Sequence, residues 1–352
     1  MNEMRQIMAD TVEKLFTEHV TKSLKESAEA SDFPEKLWNA VEENGLLHIL
    51  VPENFGGVGA EFADAEVIAR GIGRHAVPMP VVESILANWI LVSAGLDIPT
   101  GMTVLAPVRA DEALPLAGDK VRGTATRVPW GRTAAQVVVI TTEGDVALMT
   151  AGSYSVTENQ NIAGEPRDTL VFEGATPAAT GRLPGGLTAA SVFALGAMMR
   201  SAQMAGAMEW ILEASVQYAN DRSQFGRPIG KFQAIQQSMA ELAGHTAASG
   251  AASTGAFQAA DLAVASGHDS TFEIAAAKTR ISEAAGIAAA ISHQIHGAIG
   301  FTYEHDLHFR TRRLWSWRDE FGSDSYWADW IGGSILEQEA DDLWPWLTTR
   351  PT

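Results

Sequence analysis

Three long helical patterns, at about residues 187–220, 230–266 and 269–296, are rich in alanine and poor in proline, and they constrain this chain more than anything else in it. In the last of them Ile274, Ile281, Ala284, Ala288, Ile291 and Ile295 recur at helical spacing, which gives one buried stripe. Small residues on the other faces let neighbouring helices approach closely. The C-terminal half therefore reads as a helical bundle.

Between the first two patterns lies D-R-S-Q-F-G-R-P-I-G-K-F-Q-A-I-Q-Q-S-M-A-E-L, Asp221 to Leu242, in which Gly226, Pro228 and Gly230 interrupt the periodicity. That is a helix, a tight turn and a second helix. The corner presents Arg222 and Phe225, and Gln233, Gln236 and Gln237 fall on the opening turns of the second helix. A guanidinium is a rigid donor fork suited to phosphate, and a helix start adds free N–H groups and a positive dipole end. Such a corner suits a pyrophosphate, although on spacing alone an Arg-Phe-Gly turn is more often plain surface and core.

Length and charge narrow the function classes. The 352 residues suffice for two or three domains with substantial cores, and 46% hydrophobic with 19% charged residues is a globular composition. Without cysteine there is no disulfide, thiolate nucleophile or cysteine metal site. The start, M-N-E-M-R-Q-I-M-A-D, has no leader pattern, and no run of about 18 apolar residues occurs, so a cytoplasmic location is expected and a membrane span is not. A formal net charge of −18 argues against nucleic acid and anionic membranes as partners. The same field repels a polyanion such as coenzyme A at long range, but salt screens it over about 8 Å, so local arginines can still prevail.

Along the chain, residues 2–30 read as one charged amphipathic helix, and Asp32 with Pro34 starts another that Gly45 closes. Helices are expected at about 62–74 and 79–95. Between them Gly71-Ile72-Gly73-Arg74-His75-Ala76 matches a dinucleotide fingerprint in form only, because Ala63 to Arg70 before it has a helical pattern where the fingerprint needs a strand. From about Gly101 short β-prone runs take over: Thr103 to Pro107, Val121 to Val128, Gln136 to Thr141, Asp145 to Met149 and Thr169 to Glu173. Pro184, Gly185 and Gly186 mark the return to helix. Near the end, Trp315, Trp317, Trp327, Trp330, Trp344 and Trp346 stand close to Arg310, Arg312, Arg313 and Arg318, a composition that suits an oligomer contact.

No metalloprotease, nucleophile-elbow or Walker sequence is present. His293, His296, His305 and His308 form two i, i+3 pairs that resemble a metal cluster, but Gly297 and Gly300 interrupt the geometry, so no metal is expected.

Tyr218 to Leu242 resembles the hallmark of the acyl-CoA dehydrogenase family, Y-x-x-x-R-x-Q-F-G-x-x-[IL]-x-x-F-Q, and Q-I-H-G-A-I-G-F-T-Y-E-H-D-L at Gln294 to Leu307 resembles that family's later flavin-contacting segment. P-E-N-F-G-G-V-G at Pro52 to Gly59 is similar to its early glycine loop. The resemblance covers nearly the whole chain. It implies an acyl-CoA dehydrogenase-like fold: an N-terminal all-α domain over 1–100, a small middle β domain over 101–185 and a C-terminal four-helix bundle over 186–352. It also implies FAD shared between subunits, held by Arg222, Gln224, Phe225 and Gln233 and approached by Gln294, Gly297 and Gly300. In V-P-W-G-R-T-A-A-Q-V-V-V-I, Val128 to Ile140, Trp130 is the candidate beside the flavin ring, with a β-domain core role as its equal alternative.

The implied reaction removes an α-proton from an acyl-CoA thioester while hydride leaves the β-carbon for the flavin, with electrons passing to an electron-transfer flavoprotein. Its base is a carboxylate raised toward neutrality by desolvation. Family members often carry that glutamate in an E-G-T sequence; here the aligned stretch is D-E-F-G-S-D-S, where Phe321 takes the position and Glu320 precedes it. Leu195 to Met199, where some relatives place the base, has no acid, which leaves Glu320 as the candidate. Two further departures are A-P-V-R-A-D-E-A-L-P-L at Ala106 to Leu116, in place of the usual substrate loop, and Ala298 where a second glycine is common. The pattern resembles chains of two-gene α2β2 assemblies acting on steroid side chains or other bulky acyl groups, in which one subunit supplies the base. Three functions follow from the resemblance: dehydrogenase in a homo- or hetero-tetramer, silent partner subunit completing another chain's FAD site, and flavin oxidase.

Overall fold

Helices fill the chain up to Ser93, strands run from Thr103 to Arg182, and helices resume at Ala189. The computed structural model describes residues 3–185, 187–267, 269–339 and 341–350. Gly186, one of the residues marking the return to helix, lies outside the described residues. The chain divides into two compact units, Met1–Ile68 with Val77–Met199, and Ala69–Ala76 with Arg200–Thr352.

The N-terminal helices are α1 (Glu3–His19), α2 (Lys22–Glu29), α3 (Glu35–Glu43), α4 (Phe62–His75) and α5 (Val81–Ser93). The single helix expected at the N-terminus is two. Thr21 adopts an extended conformation and its hydroxyl accepts from Leu24 N at 3.2 Å, so it caps a new helix where the first one stops. Helix α5 is buried on nearly every side, and Ser84 Oγ ties it to the first strand by donating to Thr103 O at 2.6 Å.

Two four-stranded sheets follow. The strands are β1 (Thr103–Ala106), β2 (Leu116–Ala117), β3 (Lys120–Pro129), β4 (Gln136–Ile140), β5 (Asp145–Thr150), β6 (Ser155–Thr157), β7 (Arg167–Ala175) and β8 (Ala179–Arg182). One sheet has the order β1-β4-β5-β8, with β1 parallel to β4 and the other pairs antiparallel. Its strands β1, β4 and β5 are buried along almost their whole length, so they read as continuous apolar segments. The other sheet, β2-β3-β7-β6, is antiparallel, and β3 alternates between buried and open positions along most of its length.

Helix α6 (Ala189–Asp221) begins the C-terminal helices; α7 (Gln233–Ser266), α8 (Thr271–His296), α9 (Leu307–Trp317), α10 (Asp324–Leu336) and α11 (Leu343–Thr348) follow. α7 packs along α8, and α8 also meets α9 and α10. Gly267, at φ 71°, ends α7 in the left-handed conformation that glycine adopts without strain. In the second unit the backbones of α4 and α6 touch. A Cβ on Gly73 would lie 1.8 Å from Gln203 O, and one on Gly206 would lie 2.0 Å from Arg70 O. Salt bridges flank this contact, Arg70 to Glu209 at 2.9 Å and Arg74 to Glu213 at 2.7 Å.

The C-terminal tryptophans divide between core and surface. Trp317 and Trp327 are buried, while Trp315 and Trp344 are exposed. The arginines expected beside them at a contact surface behave differently: Arg310 and Arg313 are buried, and each donates to a backbone carbonyl within the unit. Arg310 Nε reaches Arg74 O at 2.8 Å with its guanidinium over Trp210, and Arg313 Nη1 reaches Phe309 O at 2.8 Å.

Adding one methyl group at the α4–α6 contact forces these two backbones apart. Gly206→Ala is expected to destabilise the protein by about 2 kcal/mol, as overpacking a tight core does, and a urea titration against the wild type measures it.

Candidate functional site

Two segments of the second unit meet at the ends of α6 and α8. At the first, α6 runs out at Asp221 and the chain turns through a minimal hairpin, β9 (Ser223–Gln224) pairing antiparallel with β10 (Arg227–Pro228). Ile229 N closes it on Arg222 O at 2.8 Å. The two turn residues, Phe225 and Gly226, both have positive φ, 52° and 78°, as a type I′ turn requires. Asparagine or aspartate followed by glycine fills such turns without difficulty. A phenylalanine there carries backbone strain of about 1–3 kcal/mol, and this one is 92% exposed. Gln224 and Gln233 are exposed too, and among the described residues the Arg222 guanidinium has neither hydrogen bond nor salt bridge. Helix α7 opens after Phe232 with no side-chain cap and no acid in its first turn, which leaves N–H groups and a positive dipole end available.

The second segment ends α8. Gly297, at φ 60° and ψ −141°, turns the chain in a conformation that only glycine adopts readily, and a short 3₁₀ run, Gly297–Phe301, follows. Gly300 is buried, and a Cβ there would sit 3.0 Å from His296 Cβ. Gln294 is exposed and lines a cavity of about 450 Å³ with His293, Gly297, Phe301 and Trp315. The two segments are joined by stacking: the Tyr218 ring, one helical turn before Arg222, lies 4.6 Å from the His296 ring, two residues after Gln294. The structure thus brings Arg222, Gln224, Phe225, Gln233, Gln294, Gly297 and Gly300 into one unit.

Histidines line this junction. His293 stacks on Phe301 and its Nε2 pairs with Thr311 Oγ1 at 3.0 Å; His296 Nδ1 pairs with Ser292 O at 2.8 Å. Burial pushes both rings below the usual histidine value, and neighbouring histidines, His296 and His308 on His293 and His305 on His296, add to it. Among the described residues no group of three or more His, Cys, Asp or Glu is placed to hold a metal ion.

Glu320 lies in the turn after α9, and its carboxylate is already engaged. Oε2 accepts from Arg200 Nε at 2.7 Å, with the two side chains 6% and 2% exposed. The Arg200 guanidinium also bonds Gln203 and lies 5.8 Å from the ring centres of Trp317 and Phe321. Phe321, at the aligned base position, is buried at φ 53°, and Gly322 follows at φ 87°. Lys278 of α8 holds this turn from below: Nζ donates to Arg318 O and Gly322 O, both at 2.7 Å. Burial pushes the Lys278 ammonium down to about 7, against the pull of Asp319 and Glu320. Neither Arg200 nor Lys278 was expected from the sequence, although signals existed. Lys278 interrupts the apolar stripe between Ile274 and Ile281, and Arg200 is the lone charge from Ala189 to Met208.

Trp130 belongs to the first unit. Its indole is 2% exposed, packs edge-on against Phe33 with ring centres 5.3 Å apart, and its N–H backbone donor reaches Pro166 O at 3.2 Å. The next turn is fixed by Arg132, which grips the buried Asp168 through Nε and Nη2. The ring is used in packing within the first unit.

Removing one half of the Arg200–Glu320 pair leaves a buried charge. Arg200→Met is expected to cost about 3–5 kcal/mol, more than Glu320→Gln, as read by urea denaturation. The lysine gives a pH signature. Between about 7 and 10.5 the unfolded chain holds a proton on Lys278 that the folded chain has released, so this group adds stability as pH rises. The unfolding free energy of wild type minus that of Lys278→Met is therefore expected to grow between pH 7 and pH 9.

A family model described as the acyl-CoA dehydrogenase N-terminal domain matches residues 2–97, and one described as the acyl-CoA dehydrogenase C-terminal domain matches 185–324. The chain is 33% identical over 314 residues to acyl-CoA dehydrogenase IpdE2 of Mycobacterium tuberculosis, covering 88% of this chain and 91% of that one. Among solved structures it superposes on the ChsE4-ChsE5 complex from Mycobacterium tuberculosis with a TM-score of 0.84 at 22% identity, over 97% of this chain and 99% of that one. It is similarly related to butyryl-CoA dehydrogenase from Megasphaera elsdenii, with a TM-score of 0.84 at 17% identity over 96% and 99%.

Proposed function

The chain belongs to the acyl-CoA dehydrogenase family of flavoprotein oxidoreductases, and from that premise we propose that it holds FAD in an assembly that dehydrogenates an acyl-CoA thioester to the 2-enoyl-CoA. Electrons then pass to an electron-transfer flavoprotein. The observation that carries this reading is the strained, fully exposed Phe225 turn beside an arginine without a protein partner. Strain held at an exposed turn is characteristic of a site that something else completes.

The residues suit a flavin dinucleotide. Arg222 offers its donor fork to the pyrophosphate, and the uncapped start of α7 adds positive potential. Gln224, Phe225 and Gln233 present polar edges and an aromatic face, and Gly297 leaves backbone open to close approach. Bound FAD supplies the acceptor for the hydride that leaves the β-carbon. Four copies, of one chain or of two, would set these exposed corners against neighbouring subunits.

The α-proton remains to be removed, and Glu320 is this chain's candidate. Its ion pair with Arg200 favours a second reading. The carboxylate is already engaged by a buried guanidinium, so it meets an acyl-CoA only if that pair opens. In that reading a partner chain supplies the base and this chain completes the FAD site. That a two-chain complex stands among the structural relatives is consistent with it.

The visible spectrum separates these readings. The protein is purified alone and with a co-expressed partner, then titrated anaerobically with a panel of acyl-CoAs. Bleaching of the lone chain that Glu320→Gln abolishes assigns the base to Glu320; bleaching that needs the partner assigns it elsewhere. Peroxide formed in air assigns oxidase chemistry, and failure to retain flavin with or without a partner overturns the FAD reading. Arg222→Ala is expected to weaken FAD binding about 10–100-fold, the usual loss for a charge-assisted hydrogen bond, with an unchanged apoprotein melting temperature.

A further inference from the structure

In α8, Lys278 is fully buried, and among the described residues it makes no salt bridge. Its partners are uncharged oxygens. Nζ donates to Arg318 O and Gly322 O, both at 2.7 Å, and lies 3.4 Å from Ser282 Oγ, one helical turn further on. The two carbonyls stand two residues to either side of Glu320, so one amine fixes both ends of the segment that carries this carboxylate.

These oxygens suit both charge states of the amine. An ammonium has three protons for them; a neutral amine has two N–H groups for the carbonyls and a lone pair for the Ser282 hydroxyl proton. The strength of the hold differs. Hydrogen bonds from a charged donor are roughly twice as strong as those from a neutral one, and only the ammonium attracts the Glu320 carboxylate. The other charged groups acting on Lys278 are Asp319 in the turn, Asp324 at the start of α10 and Arg200 on α6; the Arg318 guanidinium points at Asp324, 3.1 Å away. Burial opposes the charged form, so the proton is lost at about 7. That loss relieves the cost of a buried charge and at the same time weakens the grip on the turn.

We propose that Lys278 is a positioning residue: charged, it locks the turn so that Glu320 stays on Arg200, and neutral, it lets the turn slacken so that Glu320 is released toward an acyl-CoA. The consequence for the reaction rests on the reading in which Glu320 is the base. The lock itself does not.

Trp327 Nε1 donates to Phe321 O at 2.8 Å, so its indole reports the state of the turn. The full chain is labelled with fluorotryptophan, the Trp327 signal is identified by its absence from Trp327→Phe, and fluorine NMR spectra are recorded across neutral pH. The wild-type signal is expected to shift with a midpoint of about 7, and the shift to be lost in Lys278→Met. Asp324→Asn is expected to move the midpoint down, because that carboxylate favours the ammonium. Asp324 is partly exposed, so this second variant decides the matter where Lys278→Met does not fold. A wild-type signal that does not titrate, one that titrates alike in Lys278→Met, or a midpoint unmoved by Asp324→Asn overturns the lock. In the holoprotein the rate at which an acyl-CoA bleaches the flavin is expected to rise through the same midpoint. A rate that stays flat while the fluorine signal moves overturns Glu320 as the base and leaves the lock standing.

Discussion

The turn from Arg318 to Gly322 depends on a buried electrostatic knot. Arg200 on α6 grips Glu320, Lys278 on α8 grips the flanking carbonyls, and Trp327 Nε1 donates to Phe321 O at 2.8 Å. Burying these charges costs several kcal/mol per ion before pairing recovers it, so the knot is poor value as a source of net stability. Its effect is geometric. It holds Phe321 at φ 53°, a backbone state that a bulky residue leaves unless its surroundings overdetermine it. Helices α6, α8, α9 and α10 all contribute to or flank this turn, so their register is specified here.

The same knot decides the chemistry open to Glu320. A general base needs a raised proton affinity, and desolvation alone supplies it. Here the carboxylate is instead held in an ion pair with a guanidinium at 2.7 Å. Position in the fold and ability to accept a proton are therefore separate matters for this carboxylate. A sequence alignment speaks to the first and the side-chain partner to the second.

That division describes what was legible in the sequence. The long helices were readable from periodicity, and the break between the first two from Gly226, Pro228 and Gly230. The N-terminal break at Thr21 was missed because a threonine hydroxyl competes for a backbone N–H without disturbing the hydrophobic pattern. Short strands such as Ser155–Thr157 lack an apolar run and exist because β7 pairs with them. Arg222 and Phe225 could be found as a motif, yet their exposure and the positive φ of Phe225 could not. Arg200 was hidden because its partner lies 120 residues away, a distance across which one sequence carries no pairing signal.

Charge bookkeeping gives the clearest discrimination between site and surface. With 43 acids against 25 bases, a free carboxylate is the ordinary condition of this chain. Arg70, Arg74, Arg132, Arg182, Arg200 and Arg350 all have a carboxylate within reach, Arg310 and Arg313 are buried on backbone carbonyls, and Arg227 lies over the Phe232 ring, whereas the exposed Arg222 guanidinium has no hydrogen bond, salt bridge or ring contact among the described residues. An exposed guanidinium with no protein partner, next to the strained Phe225 turn and the uncapped start of α7, is what supports the proposed pyrophosphate contact.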